Sequence, residues 1–210
     1  MSELPAAQRL ATTYAPARSR PLIVPLLELD ARLAAILRGR REPLATQLRL
    51  AWWRDTLRRP ADDWPGGEPL LDALRTWRNP APLAELVDGW EALLAERLTA
   101  REIAEFVGGR GRAFAALAEE LGVEAVDKAA EAARIWALAD LAANLSDGAE
   151  RALVVDYGRG LGSPPRLSAS LRPLAVLAAL GAAALERGGG DLLAGPGSVF
   201  LALRTGLTGR

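Results

Sequence analysis

From Pro82 onward the chain repeats apolar side chains at the spacing of a single helical face: Leu83, Leu86, Val87, Trp90, Leu93, Leu94 and Leu98. Steps of three and four residues stack side chains on one side of a 3.6-residue turn, so this stretch predicts an amphipathic helix. The same period runs through "PLIVPLLELDARLAAILRGRR" at Leu26, Leu29, Leu33, Ile36 and Leu37, with Pro25 placed in the first turn and an end near Gly39. No stretch alternates at period two and no internal repeat is present. The predicted fold class is all-α, a single helical bundle over residues 1–210, and a hydrophobic content of 50% is enough to fill its core.

The remaining segments fit that architecture. A helix is predicted from about Glu42 to Leu57, with Pro43 suited to its first turn. "DDWPGGEP", Asp62 to Pro69, reads as a loop, and a short helix around Leu70 to Trp77 stops before "RNPAP". Thr99 is placed to cap a helix through Leu121 whose stripe is Ile103, Val107, Phe114, Leu117 and Leu121. Gly108, Gly109 and Gly111 interrupt it, which predicts a bend or a close approach between helices. Val123 to Ser146 is alanine-rich and suited to central packing, "GRGLGSPP" is a loop, and a last helix is expected over Ser198 to Leu207. Leu171 to Leu185 is apolar on nearly all sides but shorter than the roughly 20 residues that span a bilayer. It is read as a buried core helix, so no transmembrane segment is expected.

Composition narrows the chemistry. The sequence holds no cysteine and no histidine, which removes disulfides, zinc thiolate sites, His-dependent triads and most transition-metal sites. Carboxylates, arginines, hydroxyls and a hard cation such as Mg²⁺ are what remain. The 26 basic and 26 acidic side chains cancel, so no general attraction to nucleic acid is expected. All the basic residues but Lys128 are arginine, a residue suited to bidentate contacts with phosphate or carboxylate. The first twenty residues lack the continuous apolar core of a signal peptide, and a cytoplasmic location is the expectation.

Two places concentrate the chemistry that is left. Asp140 and Asp147 lie seven residues apart and share a helical face with Trp136 and Ala143. A carboxylate on that apolar face needs a partner, for which Arg134, Arg151 or a cation are the candidates. Asp147 with Glu150 reads either as a weak metal pair or as a helix N-cap with a structural ion pair. The second place is "LRLAWWRDTL", Leu48 to Leu57. Leu44, Leu48 and Trp52 line one face there, Leu50, Trp53 and Leu57 widen it, and Arg54 stands at the margin. One tryptophan is expected in the core and the other as a groove wall. Arg54 and Arg58, with Arg38, Arg40 and Arg41, form either a phosphate-binding rim or a solvated face.

Tyr14 to Leu57, above all "APARSR" and the run "REP…RLAWWRDTL", resembles the opening of the squalene/phytoene synthase family, in particular its short bacterial members. "IWALADLAANLSDGAER", Ile135 to Arg151, is similar to the family's second aspartate-rich helix. The resemblance implies an isoprenoid synthase type of bundle, whose active members join prenyl diphosphates with Mg²⁺ held by two aspartate-rich motifs. Against that pattern, the first helix here carries only Glu28 and Asp30, two residues apart. In the second motif Asp147 matches the leading aspartate, Glu150 an acidic position, and Arg151 stands where the closing aspartate would be.

These departures predict a diverged member without Mg²⁺-dependent catalysis. It would act by binding a prenyl lipid or a protein partner, as a branch of the family does in respiratory complex assembly, and would be cytoplasmic or peripheral at the inner membrane. The alternative is an active prenyltransferase condensing isoprenoid diphosphates with Mg²⁺. Candidate substrate-binding residues are Asp30, Arg40, Arg41, Trp53, Arg54 and Asp140, and the candidate metal ligands are Asp147 and Glu150.

Overall fold

A computed structural model of the protein describes ten α-helices over residues 4–39 and 43–209. They are α1 (Ala6–Thr12), α2 (Arg20–Arg38), α3 (Pro43–Leu57), α4 (Pro69–Leu74), α5 (Leu83–Ala92), α6 (Ala100–Glu120), α7 (Val126–Asn144), α8 (Gly148–Arg159), α9 (Arg172–Glu186) and α10 (Pro196–Thr208). Single 3-10 turns lie at Ala61–Asp63 and Ala169–Leu171, and no strand occurs among the described residues. The all-α class follows. Arg40 and Arg41 lie outside the described residues.

Local chemistry fixes the helix ends. Thr99 heads α6 with a capping box: its hydroxyl accepts from Arg101 N–H, and the Glu102 carboxylate accepts from Thr99 N–H at 3.0 Å. At the other end Glu120 accepts from the Asn79 amide at 2.7 Å and from Arg78 Nε at 3.1 Å, tying the turn after α4 to α6. Burial works to raise the Glu120 pKa, but these hydrogen bonds outweigh it and the net direction is down. α5 ends at Ala92 instead of running on to Leu98, because Leu93 and Leu94 N–H turn to carbonyls only three residues back, Trp90 and Glu91. Residues 93–98 thereby leave the helix axis. Pro25 sits in the second turn of α2, one turn deeper than expected, since the helix starts at Arg20.

α6 and α7 form the centre. α6 packs against α5 on one side and α7 on the other, α9 covers α7, and α10 with α1 lies on α9. The three glycines do not break α6, which runs unbroken for 21 residues. Of the two expectations, the close approach is the one realised. A Cβ on Gly109 would collide with the Glu85 carbonyl oxygen of α5, and one on Gly89 would press on the α6 backbone at Phe106. On the far side α7 presents fully buried Ala129, Ala132, Ala133, Ala137 and Ala139, and Gly181 of α9 lies where a Cβ would meet Trp136 Cα at 3.2 Å. Small residues bring backbones together, and close packing of this kind leaves no slack for an added methyl group.

α9 behaves as expected. Ala169–Glu186, the 3-10 turn and α9 together, is apolar and long enough to cross a membrane by composition alone, yet 67% of it is buried within the bundle. α3 differs from expectation. Leu50, Trp53 and Leu57 are buried, whereas Leu44, Leu48 and Trp52 stand 69%, 62% and 44% exposed. Two apolar stripes roughly 100° apart cannot both face one core, and the helix turns the Trp53 stripe inward. α1 and α8 have no counterpart in the periodicity reading; α8 buries only Val154, Val155 and Gly158, too few to mark a face.

The glycine contacts yield a paired prediction. Gly109→Ala is expected to cost about 1–3 kcal/mol or more by forcing α5 off α6. Gly108→Ala meets only the flexible Arg112 guanidinium and is expected to be neutral or to stabilise by up to about 1 kcal/mol through helix propensity. Urea denaturation of both variants, read as midpoint shifts of opposite sign, checks this.

Candidate functional site

Between its two flanking glycines α6 carries Arg110, which is fully buried. Arg110 sits on the apolar stripe itself, one step from Val107 and one from Phe114, so helix geometry sends its side chain into the bundle. Gly109 lets α6 close on α5, and Gly111 leaves room for the Arg134 side chain of α7, whose Nε would lie 3.0 Å from a Cβ there. The guanidinium then reaches carboxylates on two other helices. Nε donates to Asp30 Oδ1 at 3.1 Å and Nη2 to Asp30 Oδ2 at 2.9 Å, a bidentate fork onto α2. Nη2 also donates to Asp140 Oδ2 of α7 at 3.0 Å.

Aromatic rings enclose this cation. Its Cζ lies 4.2 Å from the Trp136 ring centroid, 4.8 Å from Phe106 and 5.3 Å from Trp90, distances at which the ring quadrupole attracts a positive charge. Trp90 plays a second part, donating its indole N–H to Asp30 Oδ1 at 2.9 Å. Asp30 is thus held by three donor groups while 1% exposed. Burial pushes its carboxyl above the ordinary value, Arg110 pulls the other way, and the neighbouring charge of Asp140 adds to the rise. Arg110 Nη1 has no hydrogen-bond partner among the described residues.

The network forms the inner end of a cavity of about 430 Å³. Asp30, Asp140, Trp90, Phe106 and Gln8 of α1 line it, together with an apolar wall that includes Ala31, Ala34, Leu37 and Leu141. Residues 93–98, freed by the early end of α5, form another side, with Leu93 and Leu98 lining it. Exposed Arg38, Glu96 and Arg97 stand at its edge, and Glu150 and Asn144 complete the lining. Asn144 donates its side-chain amide to the Asp140 carbonyl at 2.8 Å, steadying the last turn of α7.

The candidate residues separate into groups. Asp30 and Asp140 converge on Arg110 and on the cavity, and Glu150 lines it too. The partner of Asp140 is Arg110, thirty residues away, and not Arg134 or Arg151. Trp53 is 4% exposed and lies in the core, edge-on to Trp52 at 5.1 Å, and it does not line the cavity. Arg54 points to α5, where it bonds Glu91 at 2.5 Å and also reaches Asp55 at 3.2 Å, while Arg58 pairs with Asp88. Those ion pairs occupy two arginines of the supposed phosphate rim, and among its described members only Arg38 reaches the cavity.

Asp147 is the N-cap of α8: its Oδ1 accepts from Ala149 N–H at 2.8 Å and Glu150 N–H at 2.9 Å. Arg151 donates to the Ala142 carbonyl at 3.2 Å and to that of Leu145, closing the C-terminal end of α7. Among the described residues no three acidic side chains come together as metal ligands. Several of the acidic oxygens already hold protein donors. The Asp30 oxygens are held by Arg110 and Trp90, and an Asp147 oxygen by the start of α8.

Arg110 and Gln8 escaped the sequence reading, and Trp90 was read only as part of the apolar face of α5. The signal for Arg110 was present as a charged residue at the stripe position between Val107 and Phe114. No protein-family model matches the chain, no curated protein is significantly similar to it, and no solved structure matches its fold.

Removing one member of a buried ionic group strands the others in a low dielectric. Arg110→Met is expected to lower stability by about 3–5 kcal/mol. The double variant Arg110→Met/Asp30→Asn is expected to recover part of that loss, because the asparagine amide stays uncharged and its oxygen can still accept from Trp90. Chemical denaturation of the two proteins side by side checks the ordering.

Proposed function

We propose that the chain is a diverged relative of the squalene/phytoene synthases, with their isoprenoid synthase type of bundle, that binds a prenyl lipid in the cavity beside Arg110 without Mg²⁺-dependent catalysis. The "RLAWWRDTL" and "NLSDGAER" resemblances support the family, and the departures at Glu28, Asp30 and Arg151 support the lost reaction. The observation that carries the reading is the position of the Arg110 guanidinium between Asp30 and Asp140. A fixed internal cation takes up the carboxylates that a metal-dependent enzyme would leave free for exchangeable ions. What is left is a recess with an apolar wall, the kind of space that accepts a hydrocarbon chain.

A second reading, binding of a protein partner at a membrane in respiratory complex assembly, draws on a different feature. Leu44, Leu48 and Trp52 form an exposed i, i+4, i+8 stripe on α3, a pattern that partner helices dock against. The two readings are compatible, since the stripe and the cavity use different residues of the chain. Both are consistent with a protein of the cytoplasm or of the inner face of a membrane.

The test is incubation with farnesyl and geranylgeranyl diphosphate, with and without Mg²⁺, alongside calorimetric titration with farnesol. Farnesol binding that is indifferent to a chelator, with no condensation product from either diphosphate, is the expected outcome. Mg²⁺-dependent formation of a head-to-head product would establish the active prenyltransferase instead.

A further inference from the structure

We propose that the cavity selects a ligand with a cationic, hydrogen-bond-donating head, a primary ammonium, seated on Asp140 and Gln8 with its apolar body along the Ala31, Ala34 and Leu141 wall. The inference rests on the cavity reading above and adds the head-group chemistry, which differs from the diphosphate that the family resemblance implies.

Three observations carry it. The first is charge. Asp30 and Asp140, with partly exposed Glu150, stand against Arg110 as the one buried cation beside the lining among the described residues, so with these carboxyls ionised the balance is negative. The arginines that could offset it, Arg38 and Arg97, are exposed at the edge beside Glu96, where water screens them. A diphosphate pushed inward would meet the carboxylates of Asp140 and Glu150, an unfavourable contact of like charges.

The second is unused hydrogen-bonding capacity. Arg110 occupies only Oδ2 of Asp140, and among the described residues no hydrogen bond reaches its Oδ1. Gln8 is 3% exposed, lines the cavity, and its side-chain carbonyl oxygen has no partner among the described residues. A buried side-chain carbonyl oxygen without a partner is uncommon in a folded protein and calls for a ligand or an ordered water. An ammonium brings three donors and one positive charge to this acceptor set. The third is the aromatic lining. Trp90 and Phe106 border the same space and already stabilise one cation, Arg110, and aromatic walls favour amine heads over anionic ones.

The test compares three ligands that share one farnesyl chain: farnesylamine, farnesol and farnesyl diphosphate, each titrated calorimetrically into the full chain at neutral pH. The amine is expected to bind at least about tenfold more tightly than the alcohol, the change that one charge-assisted hydrogen bond supplies, and the diphosphate most weakly. Asp140→Asn should remove that preference. Because Asp140 also pairs with Arg110, Gln8→Leu is the companion variant: it lies outside the ionic group and should weaken the amine more than the alcohol. Equal or tighter binding of the alcohol or the diphosphate overturns the head-group inference while leaving the cavity as a lipid site. Binding of none of the three overturns both.

Discussion

A fully buried guanidinium shared by two carboxylates from separate helices is the interaction on which the rest of this structure depends. Arg110 of α6 joins Asp30 of α2 and Asp140 of α7, helices that lie far apart in sequence. Desolvating such charges costs several kcal/mol per ion, so the group is tolerable only if nearly every donor and acceptor is satisfied. Bidentate geometry, the Trp90 indole and three aromatic faces meet most of that demand. In exchange the network fixes the register of three helices at one point, a specificity that apolar packing alone supplies less sharply. It also sets the character of the adjoining cavity, which inherits the outer oxygen of Asp140.

The network requires close helices, and the small residues supply them. Gly89 and Gly109 bring α5 against α6, and the alanines of α7 with Gly181 bring α9 against α7. The early end of α5 belongs to the same design, because a helix continued to Leu98 would not turn residues 93–98 toward the cavity. Fold and site are thus consequences of the same short list of residues.

α2, α3, α5 and α6 were legible from apolar spacing, α7 from its alanine content and α9 from its apolar run, signals that need no distant partner to be seen. The exceptions have physical reasons. α8 buries too few side chains to show a period, and α3 carries two apolar stripes, between which tertiary contact with α5 and α2 chooses. The site was legible in part: Asp140 stood out as an acid on an apolar face, and Asp30 as one of two acids in the helix that the family resemblance singles out. Their common partner did not, because pairing across 80 and 30 residues is set by packing and leaves no local pattern. Asp147 shows the opposite case, an acid whose whole role is local and visible as an N-cap.

The guanidinium of Arg110 stands between Asp30 and Asp140, and under the proposed function it leaves no place there for an exchangeable divalent cation. Titration of the ¹⁵N-labelled protein with Mn²⁺, read as paramagnetic broadening of amide and indole signals, tests it most directly. Trp90 Nε1–H, 2.9 Å from the Asp30 carboxylate, is expected to keep its line width at millimolar Mn²⁺. Stoichiometric broadening of that indole signal, reversed by Mg²⁺, would contradict it.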